Sequence, residues 1–266
     1  MSVLGWIILF CFLGGAISVL AASLFMLVPA GLRTRMLPHF ISYAIGALLG
    51  AAFLALLPHA VIAPAFSSQL EATHAIMLTV LLGILVFFLL EKMVLWRHCH
   101  SHECEVHGSD DGHHHEKESP VGALILLGDG LHNFVDGVLI AAAFITDIHL
   151  GIVTALAVAA HEIPQEIGDF SILLHSGYSR ARALSYNILV SLTTVAGGVL
   201  AYFWLADVQY LVPYVLAVAA ASFIYVAMAD LLPGLHKRTQ VIVTIQQVSL
   251  ILLGIITIYF AHSTLH

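Results

Sequence analysis

Eight stretches of about twenty or more mainly apolar residues recur along the chain, near residues 3–29, 40–66, 74–96, 121–145, 149–176, 184–205, 209–232 and 241–263. A helix needs about 20 such residues to cross a hydrocarbon core of roughly 30 Å. Inside lipid only helices and closed barrels satisfy every backbone N–H and C=O, and runs of this length suit helices. The expectation is an all-α, polytopic membrane protein with eight transmembrane helices. Composition agrees, with 60% hydrophobic and only 9% charged residues, far from a soluble globular domain. The first run is too long for a signal-peptide core and has no basic residue before it, so it is expected to stay as a helix.

The nine Lys and Arg residues set the orientation. Arg33 and Arg35 fall between spans one and two, and Lys92, Arg97 and Lys117 around the connection between three and four. Arg180 and Arg182 separate five from six, and Lys237 and Arg238 separate seven from eight. Every base therefore lies on one side, which the positive-inside rule makes cytoplasmic. Both termini then face the extracytoplasmic side of an integral, multi-pass protein, with the cell (inner) membrane as its expected location. A formal net charge of -7 and a few dispersed bases argue against a nucleic-acid partner; the partners to expect are lipid and small cations. Cys11 lies in an apolar run and Cys99 and Cys104 in a cytoplasmic loop, so no disulfide framework is expected.

Three regions follow: residues 1–96 with spans one to three, residues 97–119 as a soluble loop, and residues 120–266 with spans four to eight, all serving one transport unit. The loop carries His98, Cys99, His100, His102, Cys104, His107, His113, His114 and His115 among six acids. Such a tract can collect borderline divalent ions from composition alone, and its spacing matches no ordered zinc finger. Ser119-Pro120 reads as an N-cap and first-turn proline opening span four, and Thr146-Asp147 as the cap of span five.

The chemistry lies inside the apolar runs. From Val121 to Ser176 there is no Lys or Arg, yet Asp129, Asp136, Glu162, Glu166 and Asp169 occur within the spans. Each such group costs at least about 2.5 kcal/mol near a bilayer centre, so protons or a bound cation must supply the positive charge. Counted from the short connection between spans four and five, His132, His161 and Glu162 all lie roughly 20 Å deep at about 1.5 Å per residue. Asp129, His132 and Asp136 share one stripe with Asn133 on its shoulder, while His161 pairs with Gln165 at i, i+4. Pro164 should disrupt span five and free the carbonyl of Ala160, and Gly128, Gly130, Gly137 and Gly168 suit close helix approach. A lone His or Asn in a span is more often an interhelical hydrogen bond than a ligand, but two histidines and several acids at matched depth are a different case. His59, placed nearer mid-span than the end of span two, is a pathway candidate with Asp129, Glu166 and Asp169. Imidazole with carboxylate and amide oxygen suits Zn2+, Fe2+, Mn2+, Co2+ or Cd2+ better than Mg2+ or Ca2+.

The segments Gly128-Asp129-Gly130-Leu131-His132-Asn133-Phe134-Val135-Asp136-Gly137 and His161-Glu162-Ile163-Pro164-Gln165-Glu166-Ile167-Gly168-Asp169-Phe170 resemble the paired signatures of the ZIP (Zrt/Irt-like) metal transporters. The His-rich loop, the span count and the outward termini resemble that family too. The resemblance implies uptake of zinc or a related divalent metal into the cytoplasm and no enzymatic activity. It also implies a homodimer, and transport by sliding one helical bundle against another. One metal would be held by His132, Asp136 and Gln165, a neighbour by Asn133, Glu162 and the bridging Asp136, with His161 beside them. Family members commonly carry His or Glu where this chain has Gln165, and a helix-two His where it has Ala55. Two other classes compete: an intramembrane zinc hydrolase, against which Gln165 spoils HExxH, and a metal sensor acting through the loop, which leaves the buried acids unexplained.

Overall fold

In the computed structural model the described residues are 1–63, 66, 68–99, 120–236 and 240–265, and among them all regular structure is helical. Among the described residues seven helices are long and apolar enough to cross a membrane. In chain order they are α1 (Val3–Phe25), α2 (Ala30–Val61), α3 (Gln69–Cys99), α4 (Pro120–Thr146), α6 (Arg180–Asp207), α7 (Gln209–Leu235) and α8 (Val241–Leu265). Between α4 and α6 runs α5 (Ile148–His175), with 28 residues long enough to cross but too polar to join that set. Its His161, Glu162, Gln165, Glu166 and Asp169 are the reason.

Boundaries differ from the sequence expectation where hydropathy misleads. α2 starts at Ala30 rather than near residue 40 and takes Arg33, Arg35 and Pro38 into its first turns, since a helix need not stop where its apolar stretch does. α3 continues to Cys99, three residues into the segment read as loop. Pro120 opens α4, while its expected cap Ser119 lies outside the described residues. Asp147 does cap α5: its Oδ1 accepts from the N–H groups of His149 at 2.8 Å and Leu150 at 3.0 Å, satisfying two donors that a helix start leaves unpaired.

Proline acts differently at different sites. α5 runs as an unbroken α-helix through Pro164, against the expected disruption; one lost N–H is tolerated where neighbouring helices pack around the turn. In α2 and α7 the turns before a Leu-Pro pair widen instead into π-helical segments, Ala51–Leu56 ahead of Leu57-Pro58 and Val226–Leu231 ahead of Leu232-Pro233. The proline ring crowds the carbonyl four residues back, at Leu54 and Ala229, and a wider turn relieves the clash.

The helices associate in a pattern that isolates the polar signatures. α1, α4, α5 and α6 pack on one another, α2 pairs with α8, α3 pairs with α7, and α2 also lies along α5. Two crossings depend on glycine. A Cβ on Gly137 of α4 would stand 1.9 Å from the Thr194 carbonyl oxygen, and one on Gly197 of α6 2.1 Å from that of Phe134, so these helices touch backbone to backbone. Gly46 of α2 and Gly254 of α8 form a second such contact, with 2.0 Å to the Ile251 carbonyl and 2.4 Å to that of Tyr43. Gly128 and Gly168, expected to serve the same purpose, have nothing within 4 Å, and Gly130 meets only Val190 at 3.9 Å.

The interior is rich in small residues, among them Ala141, Ala142, Ala143, Ala219, Ala220 and Ala221, all fully buried. Large apolar side chains such as Leu81, Leu85, Leu252 and Ile256 face outward on α3 and α8. Polar groups are held inside: Ser18, Asn133, Asp136, His161, Glu162, Glu166 and Asn187 are buried. That inversion suits lipid, where apolar surface is not driven inward and close backbone packing holds helices together.

Candidate metal centre

α4 and α5 run antiparallel from their shared turn at Asp147, bringing residues equally far from it to the same level. His132 and Asp136 of α4 thereby meet His161 and Glu162 of α5, and one ligand atom from each lies within 4.8 Å of the others. His161 Nε2 stands 3.2 Å from Asp136 Oδ2 and 3.2 Å from His132 Nε2. His132 Nε2 is 3.8 Å from Asp136 Oδ2 and 3.7 Å from Glu162 Oε1, and His161 Nε2 is 3.8 Å from the same glutamate oxygen. Ligands about 2.0–2.2 Å from a tetrahedral ion stand roughly 3.3–3.6 Å from one another. The separations of 3.2–3.8 Å lie on either side of that range, so the four side chains are grouped closely enough to share a first-row divalent cation.

Electrostatics supports that reading. Both carboxylate oxygens of Asp136 and of Glu162 are buried without a hydrogen-bond partner, an expensive arrangement for groups whose chemistry is to carry charge. His161 Nδ1 lies 3.2 Å from the carbonyl oxygen of Ala157. With the proton on Nδ1 donating to that carbonyl, Nε2 carries the lone pair and faces the cluster, as a ligating imidazole must. The His132 side chain is 24% exposed while those of Asp136, His161 and Glu162 are at most 3% exposed, so the cluster is reached from the His132 side.

The remaining expected ligands are held elsewhere. The Asn133 amide donates to Asp129 Oδ1 at 3.0 Å, and its own oxygen accepts from the Thr194 hydroxyl at 2.8 Å. The Gln165 amide also donates to Asp129 Oδ1, at 3.0 Å. Both amides therefore converge on Asp129, outside the four-residue group. Glu166 is fully buried one turn beyond Glu162, and Asp169 is half-buried beyond it. His59 sits in the last α-helical turn of α2 rather than mid-span, its ring edge-on to His262 at 5.4 Å between centroids. It lines a cavity of about 450 Å³ with Thr146, Gln209 and Leu216. His98 and Cys99 close α3 with side chains outside the described residues. His100, His102, Cys104, His107, His113, His114 and His115 lie outside the described residues altogether. Sequence reasoning missed Thr194 and Asn187 of α6. A lone Thr or Asn in a span carries no signal of its own, and it is the close packing of α6 on α4, at Gly137 and Gly197 among other points, that brings them to the site.

Residues 96–262 match the family model described as ZIP zinc transporter, which is more than half of the chain. The chain belongs to the ZIP family. The match takes in α4 to α7, the paired signatures and most of α8. Zinc transporter ZIP10 of Danio rerio is 40% identical over 124 residues, 44% of this chain and 15% of that protein. Zinc transporter foi of Drosophila melanogaster is 42% identical over 125 residues, 46% of this chain and 18% of its own length. Zinc transporter ZIP13 of Pongo abelii is 33% identical over 232 residues, 83% of this chain and 65% of that protein. The chain thus spans less than a fifth of the zebrafish and fly ZIP proteins it matches, and about two thirds of the ape one.

Proposed function

We propose that this ZIP protein carries divalent transition metal, zinc foremost, into the cytoplasm, and that His132, Asp136, His161 and Glu162 hold the ion midway. The observation that carries the reading is the four-residue cluster, its donor atoms within 4.8 Å of one another between two helices, in a stretch with no basic side chain. The curated relatives named above are zinc transporters, which supports zinc as cargo. Fe2+, Mn2+, Co2+ and Cd2+ share enough ligand chemistry to compete. Asn133 and Gln165 then act beside the ion, orienting Asp129, or as ligands after a rotamer change.

In this reading α5 spans the membrane with the other seven helices, both termini face outward, and the His-rich loop is cytoplasmic, as the basic residues require. All four ligands lie in the group formed by α1, α4, α5 and α6, so a shift of that group against α2, α3, α7 and α8 would carry the ion with it. A homodimer is proposed from the family likeness. The deciding experiment is radiolabelled zinc uptake by proteoliposomes, comparing the wild-type chain with Glu162→Ala at equal protein density. Saturable uptake that the variant loses supports a carrier with its site on α5; equal uptake by both removes Glu162 from the site.

A further inference from the structure

At the end of the bundle that carries Arg33, Arg35, Arg180 and Arg182, a cavity of about 330 Å³ lies where α1 ends, α2 begins and α5 ends. That volume falls within the roughly 300–1,000 Å³ of small-molecule sites. Its walls change character with depth. Arg33, Thr34 and His175 line the mouth, where Thr34 and His175 are exposed. Phe25 and Ile167, both buried, line the floor with Leu37. Ile167 stands two turns before His175 along α5, roughly 12 Å nearer the membrane centre at about 1.5 Å per residue. On α2 the order is the same, with Leu37 one turn deeper than Arg33.

Arg33 lacks an anion. Its guanidinium turns toward the cavity wall, where Nη1 donates to the Met26 thioether at 3.0 Å, a weak acceptor for a full charge. Its Nε is buried without a hydrogen-bond partner. Among the described residues Arg33 makes no ion pair, and no acidic residue lines the cavity. His175 turns Nδ1 to the Ser171 carbonyl oxygen at 2.6 Å, which leaves Nε2 as the ring nitrogen able to meet a ligand. α2 starts at Ala30, on the same wall, with no side-chain cap from Pro29, so its first N–H groups add partial positive charge there.

We propose that this cleft seats one anionic glycerophospholipid, its phosphate on Arg33 and the first part of an acyl chain against Phe25, Leu37 and Ile167. A guanidinium matches phosphate bidentately, and basic pockets between transmembrane helices bind anionic headgroups by the same physics. Free phosphate would leave the apolar floor uncovered, and an uncharged apolar molecule would leave Arg33 unpaired; a lipid meets both. With no acidic residue in the lining to hold a choline or ethanolamine, the headgroup carries net negative charge. α1 and α5 belong to the helix group that holds the four-residue cluster and α2 to the other, so the lipid lies across the seam between them and would resist their sliding. That consequence rests on the import reading above, whereas the site itself does not.

Native mass spectrometry of the purified, delipidated full-length chain, titrated with dioleoylphosphatidylglycerol or dioleoylphosphatidylcholine, tests the cleft. Phosphatidylglycerol should bind about tenfold more tightly than phosphatidylcholine, and Arg33→Gln should remove that preference. Arg35→Gln alters a basic residue of the same helix end outside the lining and should keep it. Leu37→Trp fills the floor with the charge in place and should weaken phosphatidylglycerol about tenfold, the worth of roughly two buried CH₂ groups; it keeps the test decisive if Arg33→Gln misfolds. Equal binding of the two lipids by the wild type, equal loss in Arg35→Gln and Arg33→Gln, or unchanged binding in Leu37→Trp overturns the proposal. Displacement of the bound lipid by excess inorganic phosphate overturns it too, since the ligand would then be a free anion. Failure of the import reading shows separately, as zinc uptake that Glu162→Ala leaves intact.

Discussion

His132 and Glu162 differ from Gln165 in what they touch, and that difference predicts how their variants separate. In the proposed site, truncating either of the first two removes one of four donors and adds no bulk. His132→Ala and Glu162→Ala should each cut zinc uptake about 100-fold or more while the protein still inserts and purifies as wild type, since losing even an outer-shell partner of a metal ligand costs about 10–100-fold. Gln165 donates to Asp129 at 3.0 Å and stands outside the group, so Gln165→Ala should cost uptake less than about tenfold. The same radiolabelled zinc assay reads all three, and a Gln165→Ala loss as deep as that of His132→Ala would return Gln165 to the ligand set. Residue types and spacing made the grouping of His132, Asp136, His161 and Glu162 legible, because matched depth on two antiparallel helices follows from counting residues. Rotamer choice was not legible: nothing in the order of residues says that Asn133 and Gln165 would turn to Asp129.

At the scale of helices, α4 and α6 are held so closely that glycine is required on both. Gly197→Val would drive its Cβ to 2.1 Å from the Phe134 carbonyl oxygen, a contact only helix separation relieves. That movement would draw Thr194 away from Asn133, which accepts its hydroxyl at 2.8 Å. The variant should melt earlier than wild type when followed by intrinsic fluorescence in detergent, whereas Gly168→Ala, with nothing within 4 Å, should melt within about a degree or two of it, as a tolerated surface change does. Equal melting of Gly197→Val and wild type would place α4 and α6 further apart than described. The all-helical architecture and the Asp147 cap could be read from hydropathy and capping chemistry. The start of α2 could not, because polar residues at a membrane surface stay helical without leaving an apolar signature. The glycine contacts were legible only in part: of four candidates near the signatures only Gly137 stands so close to a neighbouring backbone that a Cβ could not fit, since close approach depends on which helix lies opposite. Pro164 and the two Leu-Pro pairs show the same limit, one proline leaving its helix intact and two widening it.

For the molecule as a whole, the ligand set dictates the response to acid. His132 and His161 must be neutral, and Asp136 and Glu162 ionised, before they can hold a cation, so every proton bound to the four competes with metal. Protonation of an imidazole or of a carboxylate acts in the same direction, against metal binding. Zinc uptake at fixed, subsaturating free zinc should therefore decline steadily from about pH 8 to about pH 5, with the larger change on the apparent affinity. The His-rich loop is also rich in imidazole and would titrate in the same range, so the profile alone does not locate the effect. A variant with the seven loop histidines replaced by Ser separates the two sources. If the mid-membrane cluster governs entry, that variant keeps the acid decline and changes uptake at neutral pH less than about threefold. A flat profile in the loop variant, beside a steep one in the wild type, would place proton competition in the loop. Metal entry would then not depend on deprotonating His132 and His161, and the four-residue cluster would lose its claim to hold the cargo.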